Sequence, residues 1–227
     1  MDQFIGDAQK RLGVLARVGW LSRQPSELQV IFAKIGRWRR FVPAEVIYLA
    51  GDEPDGLYGL GEGGLEVSFP LVGEEPVAIH RAEPGFWIGE AAILSGQKRM
   101  ISLTAVTECR VFFVPAPKVR RVIDDDPHHL TSICELTFMN QTAAVSLLAE
   151  ALSLSPRARV ARLLLRLADD SASVQGSQEE LGRVLGMTRS SIRRAVSNLT
   201  EIGAIRSGYG RITIMDAALL GRLTTEA

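Results

Sequence analysis

Apolar residues recur at three- and four-residue intervals over the first part of the chain, at Leu12, Leu15 and Val18 and again at Leu28, Ile31, Phe32 and Ile35. Pro25-Ser26 offers a helix start between the two runs, so short helices are expected there. From Arg39 to Pro115 the period shortens. Residues 46–49, 56–60, 64–69, 77–80, 101–106 and 109–114 are runs of about five bounded by Gly or Pro, the texture of an antiparallel sandwich, barrel or roll.

The helical period then returns. Asp126 is a good N-cap, Pro127 suits the first helical position and the acidic run Asp124–Asp126 favours the positive end of a helix dipole, which predicts a long helix to about Leu152. It carries two stripes. Leu130, Ile133, Thr137, Asn140, Ala144, Leu147 and Ala151 form one, and Cys134, Phe138, Val145, Leu148 and Leu152 the other. One can pack on the β region while the other pairs with the same helix of a second subunit, and Asn140 in a small, polar seam would set the register. Ser155-Pro156 repeats the cap-plus-proline signal for a helix through Ala168, followed by a polar connection over 169–176.

Residues 177–210 pack local signals most densely. Ser177 and Glu180 make a capping box for a helix over 178–185, Gly186 supplies its left-handed end and Thr188 caps a second helix over 189–202. That helix buries Ile192, Val196 and Leu199 and turns Arg189, Ser190, Ser191, Arg193, Arg194 and Ser197 outward. Docked recognition helices read bases with their N-terminal residues, so Arg189 is expected on guanine O6 and N7, with Ser190 and Ser191 on bases or phosphates. Arg193 and Arg194 suit phosphates, and Ser177, Gln178 and Thr188 complete the surface at the helix starts. Beyond Gly203, strands over 204–206 and 211–215 joined by Ser207-Gly208-Tyr209-Gly210 form a wing whose Arg206 and Arg211 would lie along the sugar–phosphate backbone.

Charge sharpens this picture. The 26 basic and 26 acidic residues cancel over the chain, yet residues 1–152 hold 15 basic and 19 acidic side chains, net −4, and residues 153–227 hold 11 and 7, net +4. A small cationic C-terminal part suits a polyanion partner. Two cysteines are too few for a disulfide framework or a four-thiolate cluster, and Cys109 reads as a buried strand residue. No stretch approaches the roughly 18–20 apolar residues of a membrane span. A cytoplasmic protein is expected. His128 and His129 in the first turn of the long helix are expected to be exposed, and Trp38, among Arg37, Arg39 and Arg40, to anchor in the core.

Within the β region, Gly85 to Arg99 (GFWIGEAAILSGQKR) places Gly89-Glu90 at the start of one apolar helical turn, where free amides can cradle an anion, with Arg99 able to return to the same spot. Together with Ala50-Gly51-Asp52, residues 64–67 (GLEV) and the 177–210 unit, this order of β-roll, long helix and winged helix resembles the CRP/FNR family of bacterial transcription factors over residues 20–215. The resemblance implies an α+β fold with three parts: an antiparallel cyclic-nucleotide-binding-like β-roll with flanking helices over 1–125, a dimerisation helix over 126–152 and a winged helix-turn-helix over 153–227. It implies a homodimer on a near-palindromic double-stranded operator, with RNA polymerase as a further partner. It also implies that Gly89 and Arg99 would take a cyclic phosphate and Glu90 a ribose hydroxyl, with Ala91, Met100, Thr142 and Val145 at neighbouring effector positions. The chain departs from the pattern there. Met100 replaces a small or hydroxylated residue, Ala91 a bulky one, and Ala144-Val145 the hydroxyl pair that contacts adenine, so a cyclic nucleotide and no effector at all both stay open.

Two other functions compete. A small-molecule-binding module could dock protein through its helical end, although the cationic wing argues against it. A metalloenzyme on a cupin-like roll lacks clustered His and Glu ligands. No nucleophile–base pair is apparent, so no catalysis is expected.

Overall fold

The computed structural model describes residues 2–70, 76–169 and 171–226. The chain divides into two compact units, Met1–Pro76 with His80–Ala143, and Val77–Ile79 with Ala144–Ala227.

The first unit opens with α1 (Asp2–Leu12), 3-10 turns at Gly13–Ala16 and Leu21–Arg23, and α2 (Ser26–Ile35). Two four-stranded antiparallel sheets follow, built from β1 (Arg37–Phe41), β2 (Val46–Tyr48), β3 (Gly56–Glu62), β4 (Leu65–Phe69), β5 (Val77–Ala82), β6 (Trp87–Ile88), β7 (Ser102–Ala105) and β8 (Cys109–Pro115). Their orders are β1-β8-β3-β6 and β2-β7-β4-β5. Between β6 and β7 lies α3 (Glu90–Ser95), and after β8 come α4 (Ala116–Asp125) and the long α5 (His128–Ser153), inside which the unit boundary falls.

Central strand β8 shows how the layers arise. Side chains alternate along a strand, so Cys109, Val111 and Phe113 enter the roll interior with Tyr48, Tyr58 and Leu65, while Phe112 and Val114 enter a second core under the helices. In that second core Trp20, Phe32 and Trp87 meet at ring-centroid distances of 5.6–5.9 Å. The indole of Trp20 donates to the Ser132 carbonyl at 2.8 Å, which ties the N-terminal segment to α5.

Several expectations change here. The Arg-rich segment around Trp38 is an edge strand, β1, paired with β8 from Arg37↔Phe113 to Phe41↔Cys109. Trp38 is only partly buried; it packs edge-on against Phe112 at 5.1 Å and donates to the Arg11 carbonyl. Helix α4 was not expected, and Asp124 and Asp125 end it instead of preceding α5. Asp126 keeps a capping part, accepting from the His128 amide at 3.0 Å. His129 is buried, unlike His128, because it falls on the same face of α5 as Ser132, Ile133 and Leu136. The first stripe therefore splits, with Ile133 inward and Leu130, Ala144 and Ala151 exposed. Burial pushes the Cys109 thiol up to about 11, whereas Cys134 is exposed.

In the second unit, α6 (Pro156–Leu167) starts on Ser155, whose side chain accepts from the Ala158 amide. Then come β9 (Ser173–Gln175), α7 (Gln178–Val184), α8 (Arg189–Glu201), β10 (Ile205–Gly208), β11 (Arg211–Ile214) and α9 (Ala217–Leu223). Val160, Leu164, Leu181, Ile192, Val196 and Leu199 build its core. The stretch read as a polar connection contains β9, the third strand of a β10-β11-β9 sheet. The wing turn is tighter than expected, with Gly208 paired to Arg211 and only Tyr209-Gly210 between them.

Candidate nucleic-acid interface and effector cluster

Helices α7 and α8 owe their geometry to local chemistry. The capping box closes in both directions, the Ser177 hydroxyl accepting from the Glu180 amide at 3.2 Å and the Glu180 carboxylate from the Ser177 amide at 2.6 Å. Gly186 then turns at φ +59°, a backbone region that favours glycine. Thr188 caps α8 by accepting from the Ser191 amide at 3.2 Å. With Ile192, Ala195, Val196 and Leu199 inward, the opposite face of α8 exposes Arg189, Ser190, Arg193, Arg194 and Ser197, and Ser191 is partly exposed. Ser190, Arg193, Arg194, Ser197, Asn198 and Glu201 line an open groove of about 470 Å³ along it. Asn198 is held there by Arg157, which also pairs with Glu226.

The wing stands beside this face. Gln178 donates to the Ser207 hydroxyl at 3.2 Å, linking the start of α7 to β10. Arg206 and Arg211 are exposed on the two wing strands, and Tyr209 at the tip is fully exposed. One contact has no counterpart in the sequence reading: Arg189 Nη2 donates to Glu179 Oε1 at 2.6 Å. Glu179, the second residue of α7, has no local sequence signal for this pair because the two residues lie on different helices.

In the roll, Gly89, Glu90 and Arg99 come together. Gly89 has φ +111°, and a Cβ there would lie 2.6 Å from the Gly56 carbonyl oxygen and 3.1 Å from Arg99 Nη1, so only glycine fits. Arg99 is buried and is not free. Its Nη2 donates to Asp55 Oδ1 at 2.6 Å and to the Gly56 carbonyl at 2.9 Å, and its guanidinium lies 3.8 Å from the Tyr48 ring centroid. Tyr58 closes the cluster, donating to Asp55 Oδ2 at 2.5 Å. Glu90 Oε1 accepts from Asn140 Nδ2 at 2.9 Å, and Asn140 also donates to the Trp87 carbonyl. Asn140 is thus a partner of the roll within this subunit, not part of a free seam. Burial raises the Glu90 carboxyl above its usual range, opposed by hydrogen bonds from Asn140 and the Glu90 and Gly89 amides and by the charge of Arg99.

Other expected effector residues lie apart. The side chains of Ala91 and Met100 are exposed and contribute no bond to this cluster, and Thr142 and Val145 are exposed along α5. Asp55, Tyr48 and Tyr58 were missed. The arginine and glutamate that would face a cyclic phosphate and ribose do retain unpartnered buried atoms, Arg99 Nε and Glu90 Oε2. Among the described residues no three His, Cys, Asp or Glu side chains gather as a metal site, and no helix is long and apolar enough to cross a membrane.

Comparison with known proteins finds a family for each part of the chain. Residues 38–126 match the cyclic nucleotide-binding domain family and residues 158–223 the Crp-like helix-turn-helix domain family. The transcriptional regulator LdrP of Thermus thermophilus is 30% identical over 192 residues, covering 81% of this chain and 95% of that protein. A solved CRP-family transcriptional regulator from the same species superposes with a TM-score of 0.69 at 28% identity, covering 83% of this chain and 97% of the other. The fold is also that of FixK2 from Bradyrhizobium japonicum, with a TM-score of 0.75 at 19% identity, covering 85% and 99% of the two chains. A roll and a winged helix-turn-helix in this order, shared along nearly the whole of LdrP, make the chain a member of the CRP/FNR family of transcriptional regulators and not an enzyme.

Proposed function

We infer that the chain acts as a homodimer that reads a near-palindromic operator through α8 and the wing. The observation that carries this reading is the capped start and outward face of α8, where Arg189, Ser190, Arg193 and Arg194 are exposed together with Ser191 partly exposed beside them. That face combines a planar fork for guanine with cations for phosphate. Arg206 and Arg211 add sequence-independent affinity, and Ser177, Gln178 and Thr188 hold the reading elements in register. Two copies would set their recognition helices about 34 Å apart, one turn of the duplex.

Dimerisation is assigned to the second stripe of α5. Phe138, Val145, Leu148 and Leu152 are between 58 and 80% exposed and recur at seven- and three- or four-residue intervals, a seam that a second α5 would cover. Such a regulator works on chromosomal DNA in the cytoplasm of a bacterial cell, with RNA polymerase as its partner there. The Gly89–Glu90–Arg99 cluster is the place for an effector. Toward a cyclic nucleotide it fits in part: Arg99 Nε offers a donor and Glu90 Oε2 an acceptor, but Asp55 already matches the Arg99 charge and the Tyr48 ring covers its face. Calorimetry with cyclic AMP and cyclic GMP tests that role directly.

The main reading is tested by measuring duplex affinity and sedimentation together. Wild-type protein is expected to sediment as a dimer and to bind a selected duplex far more tightly than a scrambled one, whereas Leu148→Glu is expected to yield monomers with weak, unselective binding. A monomeric wild type that still selects its operator would overturn the dimer assignment, and equal affinity for both duplexes would overturn the reading of α8.

A further inference from the structure

A second cationic site, within the first unit, shares no residue with the α8 face or the Arg99 cluster. Lys10 and Arg11 at the end of α1, Arg17 just beyond the first 3-10 turn, and Arg110 on β8 surround a cavity of about 270 Å³ together with Gly13, Val14, Trp38, Gly61 and Glu62. The lining holds four cations against one carboxylate. Glu62 is engaged by Arg110 at 3.1 Å, while Lys10, Arg11 and Arg17 have no carboxylate partner among the described residues. The floor is fixed. Trp38 donates to the Arg11 carbonyl at 2.8 Å, rests edge-on against Phe112, and carries the Arg110 guanidinium 4.4 Å above its ring. Gly61 leaves the space that the indole fills, since a Cβ there would come within 2.5 Å of Trp38.

Helix-dipole compensation explains only part of this. Cations in the last turn of α1 complement its negative end, which accounts for Lys10 and Arg11. Arg110, the second residue of β8, answers no such terminus, and Arg17 closes only a four-residue 3-10 turn, whose dipole is small. Four like charges around one hollow repel each other, and a bound anion would offset that repulsion. A single carboxylate would gain little at a site this wet, so several negative charges on one compact group are required. The volume lies just below the roughly 300–1,000 Å³ of pockets for drug-sized ligands, which favours a small ligand.

We propose that this hollow, built from α1, the following 3-10 turn, β1, β3 and β8, is a binding site for a diphosphate-bearing anion, either free pyrophosphate or the diphosphate of a nucleotide. Arg17 and Lys10 would hold the outer phosphate oxygens. Arg110, oriented by Glu62 and Trp38, would hold the inner ones.

Calorimetric titration of the full chain with pyrophosphate and, separately, with ADP tests the site. One binding event per chain is expected, weakened by rising salt. It should weaken about tenfold in Arg17→Gln and further in the Lys10→Gln/Arg17→Gln double variant, both changes being at exposed positions that leave the core intact. Arg194→Ala, on the α8 face, should leave it unchanged. Trp38 emission should respond, since Trp20 and Trp87 are fully buried. Tighter binding of ADP assigns the site to a nucleotide, and equal binding assigns it to the diphosphate group alone. Absence of heat with both anions, or an affinity that survives in the double variant, overturns the proposal.

Discussion

Glu179 holds Arg189 in the free protein and so competes with a DNA base for it, and that competition can be measured. Their side chains are 81 and 58% exposed, so the 2.6 Å pair couples by about 0.2–1 kcal/mol in the free protein despite its short distance. A guanine fork is worth about 1–3 kcal/mol of base discrimination, enough to draw Arg189 away. Arg189→Ala should therefore cost about 1–3 kcal/mol per half-site and, for a dimer with two separate half-sites, about 2–6 kcal/mol on the operator. Its cost on scrambled duplex should be far smaller. Glu179→Gln removes the competitor and a carboxylate close to phosphates, so it should tighten operator binding by up to about 1 kcal/mol per half-site and steepen the salt dependence. In an Arg189→Ala background the competitive part of that gain should vanish. Anisotropy titrations with a duplex selected from a random library and with a scrambled duplex, at about 50 and 200 mM salt, measure every term. Equal losses on both duplexes for Arg189→Ala would remove Arg189 from base reading. Weaker operator binding by Glu179→Gln would show that the carboxylate orients the guanidinium in the complex instead of opposing it.

Three further outcomes follow from particular side chains. Burial raises the Glu90 carboxyl above its ordinary value of 4.5, so the folded state holds that proton more tightly than the unfolded one. The resulting stability is fully present below the unfolded pKa and is lost as pH rises through the folded one. Glu90→Gln keeps an acceptor for Asn140 without the charge, so its melting temperature should exceed wild type at about pH 8 and vary less between about pH 5 and 8; an unchanged pH profile would contradict this. Ser177→Ala opens one arm of the capping box and should cost about 1 kcal/mol, or about 2–4 °C in melting temperature for a chain of this size, as read by thermal denaturation. Arg211→Ala should weaken specific and scrambled duplex alike and reduce the salt slope by about one per subunit; a loss confined to the operator would assign Arg211 to bases instead.

How far the sequence could be read depends on how far apart the partners lie. The α7–α8 unit was legible because its determinants are neighbours: Ser177 and Glu180, Gly186, and Thr188 with Ser191 all act within four residues. The roll strands were legible from their short apolar runs, but β1 was not, since RWRRF has the composition of a solvated face. It becomes a strand because β8 pairs with it and because the Phe113 ring accepts two of its arginines, Arg39 at 3.6 Å and Arg37 at 5.5 Å from the centroid. Asn140 was read from the polarity of its own stripe, yet its role is decided by Glu90, fifty positions away. The same limit shaped the effector cluster. A glycine next to a glutamate, with an arginine nine residues on, was enough to bring Gly89, Glu90 and Arg99 together in expectation. No local pattern announced that Asp55, 44 positions from Arg99, would hold the guanidinium at 2.6 Å. Any anion reaching Arg99 must therefore share it with a carboxylate already in place and pass the Tyr48 ring, whereas the α1 hollow presents Lys10 and Arg17 with no such competitor among the described residues.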